Sequence, residues 1–459
     1  MFPNDEKYFK SYRQMELYSL NGLVEILKPR NLREDFYDKC NWFVTCLLKR
    51  TILDDKRKEK PANYFANISS KELKKYLGTR DYIDVVETLV DLNIVERNNK
   101  YSKEKFSKSY AFTEKVKKMD IVQVEVHSKS FAKRLSDIIE KEYQETIKDP
   151  LFKRILENTT KLIVVEEEGY YKNEISDLTD EEMDNDVDPD EKLKERWHQY
   201  IRYTSFYDSF KLLNETTNPL EVFKSKIYQK PIIAKSGRIY HTVSSIPRYI
   251  RKSMRACKND LIWEVDMTAA QPTLIMLEWL KIAETNSETD LIKRLILNGE
   301  IYSYIKDKST YFKSLEYGKL KKEVLQGLYE EFTKSNRNNA LKELFPKFIN
   351  WVNNTKLEMG YKAVSHNGQK LEAEIFVEVY KKLPKDMFCL IIHDSILCLE
   401  QDTNSIKQNL IDRTRELFHI LKNENLDNLF KISIVSIKNE DLIQVKNERL
   451  LNEYLKTQN

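Results

Sequence analysis

The chain has 459 residues, 41% hydrophobic and 33% charged, with nine glycines and eleven prolines. That composition supports two or three domains with their own cores, and it reads as a soluble, helix-rich protein rather than a β-sandwich or a disordered chain. With no run of eighteen apolar residues it offers no membrane span, and its polar opening, Met1-Phe-Pro-Asn-Asp-Glu-Lys7, lacks the apolar core of a signal peptide.

The five cysteines, Cys40, Cys46, Cys257, Cys389 and Cys398, form no CxxC pair. An odd count at irregular spacing predicts free thiols in a cytoplasmic protein rather than a disulfide framework or a zinc ribbon. The net charge of +4 does not by itself point to nucleic acid. Its distribution says more. Residues 201–260 hold twelve basic side chains against four acidic ones, a local excess suited to neutralising phosphates.

In chain order, the first expected domain is 1–115. Ser69-Ser70-Lys71-Glu72 places a hydroxyl cap ahead of Leu73 and Leu77, which predicts a helix start. Gly78-Thr79-Arg80 breaks that helix, and Val85, Val86, Leu89 and Val90 mark one face of a second. Ile94–Arg97 and Ser109–Thr113 then read as a strand pair around a basic segment with Lys100, Lys103, Lys105 and Lys108. Helix, turn, helix and hairpin is the order of a winged helix. Arg80, near the start of the recognition helix, and Lys103 are its candidate DNA contacts.

Residues 116–230 are expected to be helical, as a thumb or connector, and to carry an acidic mobile loop at 177–191. Asp184, Asp186, Asp188 and Glu195 mimic the spacing of a calcium loop, but Pro189 stands where that loop needs Gly, so calcium is not expected.

The chemistry is expected in residues 231–459. Ile262-Trp-Glu-Val-Asp266 reads as a buried strand ending in a carboxylate, with Pro272 opening the helix that follows. Phe388–Ile392 and Ile396–Leu399 are apolar runs around the polar tip His393-Asp394-Ser395, which predicts a tight hairpin. A carboxylate at a buried tip needs a partner, and a metal supplies one. Two carboxylates on neighbouring strands suit two Mg²⁺ ions, one activating a hydroxyl and one clamping a triphosphate, with Mn²⁺ as a substitute. Between them, Lys321, Leu325 and Tyr329 recur every four residues and share a helix face.

Five blocks fall in order within residues 235–400: Ser236-Gly237-Arg238-Ile239 continuing to Ile246-Pro247-Arg248; Val265-Asp266-Met-Thr-Ala-Ala-Gln271; Lys321-xxx-Leu325-xxx-Tyr329; His366-Asn-Gly-Gln369; and His393-Asp394-Ser395. This ordered set resembles the family A DNA polymerases and the related phage-type single-subunit RNA polymerases. The resemblance implies an α+β right-hand palm with an antiparallel sheet, helical fingers and thumb, and template-directed nucleotidyl transfer on a DNA primer–template. It implies Asp266 and Asp394 as metal ligands, with His393 orienting the primer end or its neighbouring carboxylate. Lys321 would hold the incoming triphosphate with Lys322 assisting. Tyr329 would sit at the fingers pivot, and Arg238 at the primer-end base pair or nucleotide. Arg248, Arg251 and Gln369 would lie along the nucleic acid. Other replication proteins are further expected partners, and a phage or mobile element the expected setting.

The chain also departs from the pattern. Tyr317 stands where an Arg precedes the fingers lysine, and Glu330 replaces the Gly after the tyrosine. Gln271 occupies the sugar-gate position, Glu in the DNA enzymes and usually Gly in the RNA enzymes. Its bulk favours deoxynucleotides, whereas His-Asp-Ser is the form of the RNA enzymes. The gate acts sterically and directly, so the expected activity is a small DNA-directed DNA polymerase without an exonuclease array. A primase or single-subunit RNA polymerase on the same palm is the first alternative. A non-catalytic winged-helix replication or DNA-binding protein is the second.

Overall fold

The computed structural model describes residues 17–30, 32–52, 65–99, 108–113, 115–116, 119, 121–164, 231–245, 251–252, 254–256, 260–331 and 335–436. The expected acidic loop, Lys103, Arg248 and Cys257 lie outside them. The described residues combine helices with small antiparallel sheets and fall into two compact units, one within 17–149 and the other within 150–164 and 231–436. Among them, no helix is long and apolar enough to cross a membrane, and Cys40, Cys46, Cys389 and Cys398 form no disulfide.

In the first unit, strand β1 (Leu17–Leu20) precedes the long helix α1 (Glu34–Ile52). Phe43, Val44 and Leu47 of α1 are fully buried. Strand β2 (Ala66–Asn67) leads to α2 (Ser70–Leu77), whose first turn is capped as its sequence predicts: the Ser69 hydroxyl accepts from the Glu72 N–H at 3.1 Å. Gly78, at φ 103°, ends the helix in a conformation that side chains resist. Helix α3 (Asp81–Asp91) buries Val85, Val86 and Leu89. Strands β3 (Val95–Asn98) and β4 (Ser109–Phe112) pair antiparallel, and β2 adds to the other side of β4. Strand β5 (Ile121–Val124) pairs with β1, and α4 (Lys129–Thr146) follows. The buried Lys39 ammonium bonds Asp35 at 2.6 Å and Asp81 as well, tying α1 to the start of α3.

The second unit opens with α5 (Pro150–Thr159) and β6 (Leu162–Val164). After β7 (Ile232–Ile233), β8 (Ile239–Tyr240), β9 (Met254–Ala256) and β10 (Asp260–Leu261) comes β11 (Trp263–Met267). Helices α6 (Ala270–Leu280), α7 (Ser287–Asn298), α8 (Ile301–Lys308), α9 (Tyr317–Tyr329), α10 (Asn336–Leu344), α11 (Pro346–Met359) and α12 (Ala363–Lys382) follow in succession. The hairpin β12 (Cys389–Ile392) and β13 (Ser395–Cys398), helix α13 (Thr403–Leu417) and strand β14 (Phe430–Ile434) complete it. Pro272 is the third residue of α6 rather than the first, still within the turn whose N–H groups lack helical partners.

The sheet that matters has the order β12-β13-β11-β14, antiparallel throughout. Side chains alternate between its faces, and register partners share a face. Val265, Met267, Ile396 and Phe430 are buried on one face, against α12 and α13. Glu264, Asp266, Ser395 and Lys431 share the other, because Asp266 pairs with both Ser395 and Lys431. The apolar face anchors the sheet at roughly 1.5–3 kcal/mol per fully buried large side chain. The other face carries the acids at its Asp266 end, while Leu390, Ile392 and Leu397 on the same face are buried.

Two charged side chains hold the helices by hydrogen bonds to backbone groups. The Arg154 guanidinium of α5 donates to the carbonyls of Tyr380 and Leu383 at 2.9 Å each, satisfying the carbonyl end of α12, and lies over the Tyr380 ring. The Glu288 carboxylate accepts from the N–H groups of Lys347 (3.0 Å) and Phe348 (2.8 Å) at the start of α11, where a helix favours negative charge.

Candidate active site

Asp266 stands one residue before the end of β11. The chain then turns through Ala269, at φ 50°, into α6. Asp394 sits in the two-residue tip of the β12–β13 hairpin, beside His393 at φ 51°. Left-handed backbone on residues with a side chain costs on the order of 1 kcal/mol or more and is held only where surrounding structure imposes it. Among the described residues of the second unit, the two such residues are Ala269, three residues after Asp266, and His393, next to Asp394. The register closes the arrangement: Asp266 is opposite Ser395, and the Met267 N–H donates to the Asp394 carbonyl at 3.2 Å. The backbones of two acids 128 positions apart in the sequence thus come together, one near the end of β11 and one in the adjoining hairpin tip.

Burial pushes the Asp394 carboxyl above its ordinary range; the Asp394 N–H, Arg238 and Lys321 pull it down, and Glu264 adds to the rise. Glu264 is a third acid at this edge that the sequence reading missed. It lies two residues before Asp266, on the same sheet face, and accepts from the Ser395 hydroxyl at 2.7 Å.

His393 is half-buried against Tyr240, their rings edge to face with centroids 5.1 Å apart. Burial and the neighbouring Arg238 and Arg251 lower its pKa to about 4, so the imidazole is neutral at neutral pH. His241 is buried and likewise lowered, by burial, to about 4. Its Nε2 meets the Ile391 carbonyl at 2.7 Å, so that nitrogen carries the proton and fastens the 239–245 segment to β12.

A second cluster joins Arg238, Gln271, Tyr329 and Glu372. The Arg238 guanidinium forms a two-pronged ion pair with the fully buried Glu372 of α12, its Nε at 2.6 Å from Oε1. The Gln271 amide nitrogen also donates to that carboxylate, and the Tyr329 hydroxyl donates to Gln271 Oε1 at 2.7 Å. Burial raises the Glu372 pKa to about 7 against the pull of Arg238. Gly368 lets the two helices approach: a Cβ there would lie 2.9 Å from Gln271 Oε1. Gly237, at φ 83°, makes the turn that delivers Arg238.

On α9 the core face is Leu320, Val324, Gly327 and Leu328. On the face of Lys321, Leu325 and Tyr329, Lys321 is exposed, Leu325 is half-buried and Tyr329 packs toward Gln271. The Lys321 ammonium lies 4.9 Å from the Tyr317 ring centroid and 5.8 Å from that of Tyr302. The two rings stand edge to face at 6.1 Å. Tyr302 is buried, and its pKa is raised by burial, then by Tyr317 and Asp394. Lys322 is exposed on the same helix, off this face. Gln369 is half-buried one turn before Glu372, and Arg251 lies near enough to His393 to affect its charge. Arg80 belongs to the first unit, exposed at the start of α3.

Among the described residues, no group of three or more His, Cys, Asp or Glu side chains is arranged to hold a metal unaided. The donor set at Asp266 and Asp394 consists of oxygens only. It suits Mg²⁺, which keeps several waters and takes one or two carboxylates together with substrate phosphates rather than an all-protein cage.

No protein family matches the chain, and no curated protein does. Among solved structures it is similar to the POL domain of Pol1 from M. smegmatis, in complex with DNA primer-template and dNTP. The identity is 13%, with 59% of this chain and 57% of that chain covered and a TM-score of 0.36. The chain thus spans less than two thirds of that neighbour.

Proposed function

We propose that the second unit is a template-directed nucleotidyl transferase, a small DNA-directed DNA polymerase that joins a primer 3′-hydroxyl to the α-phosphate of a deoxynucleoside triphosphate and releases pyrophosphate. The observation that carries this reading is the register that brings the backbone of Asp266, near the end of β11, beside the hairpin tip that holds Asp394, with the Met267 N–H donating to the Asp394 carbonyl. The β12-β13-β11-β14 sheet is the proposed palm, α8 to α11 the fingers, and 116–230 a thumb or connector. The helix pair and strands of 66–112 are the proposed winged helix, which docks DNA through Arg80 and Lys103.

Asp266 and Asp394 would hold two Mg²⁺ ions, which when bound lower the pKa of the attacking hydroxyl and neutralise charge on the triphosphate. Lys321 donates to the outer phosphates, with Lys322 as a nearby second cation. Its charge compensates the negative charge that develops on the leaving pyrophosphate. His393, neutral and packed on Tyr240, orients the primer end by hydrogen bonding without adding charge. Arg238 contacts the primer-end base pair. Gln271 fills the space that a 2′-hydroxyl would occupy. Arg248, Arg251 and Gln369 line the nucleic acid path. The contribution of the chain is mostly positioning and charge placement.

Extension of a labelled DNA primer on a DNA template, with the four dNTPs or the four NTPs, tests the reading. Elongation with dNTPs is expected. Elongation with NTPs alone overturns the choice of sugar in favour of a primase or RNA polymerase.

A further inference from the structure

The Gln271 amide is held at both ends. Its nitrogen donates to Glu372, and its oxygen accepts from Tyr329. Glu372 is fully buried and has its other contacts with Arg238. Val364, Gly368, Glu372, Phe376 and Tyr380 are all buried at a spacing of four along α12. Glu372 is therefore an acid set into an otherwise apolar or small stripe facing the sheet and α6. Burying a carboxylate there is costly unless it is paired and hydrogen-bonded. Its pairing fixes which way the amide points, because a flipped amide would set its oxygen against the carboxylate. It also accounts for an amide rather than an acid at 271. A carboxylate in that place would face Glu372 in a buried site, where like charges repel strongly.

We propose that Glu372 is a positioning residue for sugar discrimination: it locks the Gln271 amide in the one orientation that blocks a 2′-hydroxyl. The inference rests on the polymerase reading and deepens it. Glu372 touches no substrate. It removes the freedom of a flexible side chain that otherwise rotates away from a larger sugar. Gly368 supports the lock by making room for it, since a Cβ there would stand 2.9 Å from the Gln271 amide oxygen.

The test is the ratio of kcat/KM for a dNTP to that for the matching NTP in primer extension by the full chain. It is measured for wild type, for Glu372→Gln, and for the swap Gln271→Glu with Glu372→Gln. Thermal unfolding confirms that each is folded. Loss of the charged hydrogen bond in Glu372→Gln should lower the ratio about tenfold, the equivalent of ~1.4 kcal/mol. The swap restores an amide–carboxylate contact of opposite sense and should return the ratio to within about threefold of wild type. A general structural role predicts no such rescue. A folded Glu372→Gln with the wild-type ratio overturns the proposal. If Glu372→Gln does not fold, the swap decides: a retained ratio supports the lock and a lost one overturns it. Wild type that extends with neither nucleotide set overturns the polymerase reading itself, a different outcome from an active enzyme with unchanged selectivity.

Discussion

The Lys321 ammonium stands over aromatic rings, and that makes a graded series of variants informative. The ammonium lies 4.9 Å from the Tyr317 ring centroid and 5.8 Å from that of Tyr302. A cation over a ring at an exposed site gains about 0.5–1 kcal/mol. Tyr317→Leu removes the nearer ring, so the dNTP KM should rise about two- to fivefold while kcat changes less. Tyr317→Phe keeps the ring and should stay within about twofold of wild type. Lys321→Ala removes the charge itself. With about 1.5–3 kcal/mol for a hydrogen bond to a charged group, kcat/KM should fall about 10- to 150-fold. Steady-state extension by a single nucleotide gives both constants. The reasoning is refuted if Tyr317→Phe is as impaired as Tyr317→Leu, or if Tyr317→Leu leaves the dNTP KM unchanged.

The remaining predictions concern stability and packing. His241 has a folded pKa near 4 against an ordinary value near 6.5, so its contribution is complete above about pH 6.5 and is lost as pH falls toward 4. Glu372, raised to about 7, contributes with the opposite sign as pH rises through the same window. Comparing wild type with His241→Gln cancels that term: the unfolding free energy from urea melts at pH 7 and pH 4 should fall by about 3 kcal/mol more in wild type. Equal losses contradict the assignment. Gly368→Ala drives a methyl against Gln271 and Ile275 and should cost about 1–3 kcal/mol in thermal unfolding, whereas Gly318→Ala, with open space around it, should not destabilise. Arg154→Met leaves the carbonyls of Tyr380 and Leu383 without their donor, and a loss of about 2–4 kcal/mol in a chemical melt is expected. A neutral result places the closure of α12 elsewhere.

The parts of the site written in local pattern were legible in the sequence. Two apolar runs around His393-Asp394 gave the hairpin, and an apolar strand before a helix gave the junction after Asp266. The four-residue spacing of Lys321, Leu325 and Tyr329 gave a shared helix face, which is exposed at Lys321 and packs toward Gln271 at Tyr329. What escaped depends on contacts between distant segments. Glu372 is one of several acids in α12, and only its place in the buried four-residue stripe separates it from Glu374 and Glu378. That stripe was readable. Glu264 was within reach too, since strand alternation puts it on the face of Asp266. Tyr302 had no signal, because nothing local says that α8 lays a ring beside a lysine on α9. Tyr317 stood out only as a departure from the polymerase pattern, and its cation contact became evident in three dimensions.

The central claim is that Asp266 and Asp394 together support phosphodiester formation, and one measurement tests it directly. Primer extension with dNTPs and Mg²⁺ is compared for wild type, Asp266→Asn and Asp394→Asn, each confirmed as folded by its thermal melt. Wild type should lengthen the primer, and either variant should lose at least about a thousandfold in kcat, in line with ~4 kcal/mol of lost transition-state stabilisation. Folded variants that extend the primer at the wild-type rate would contradict the claim.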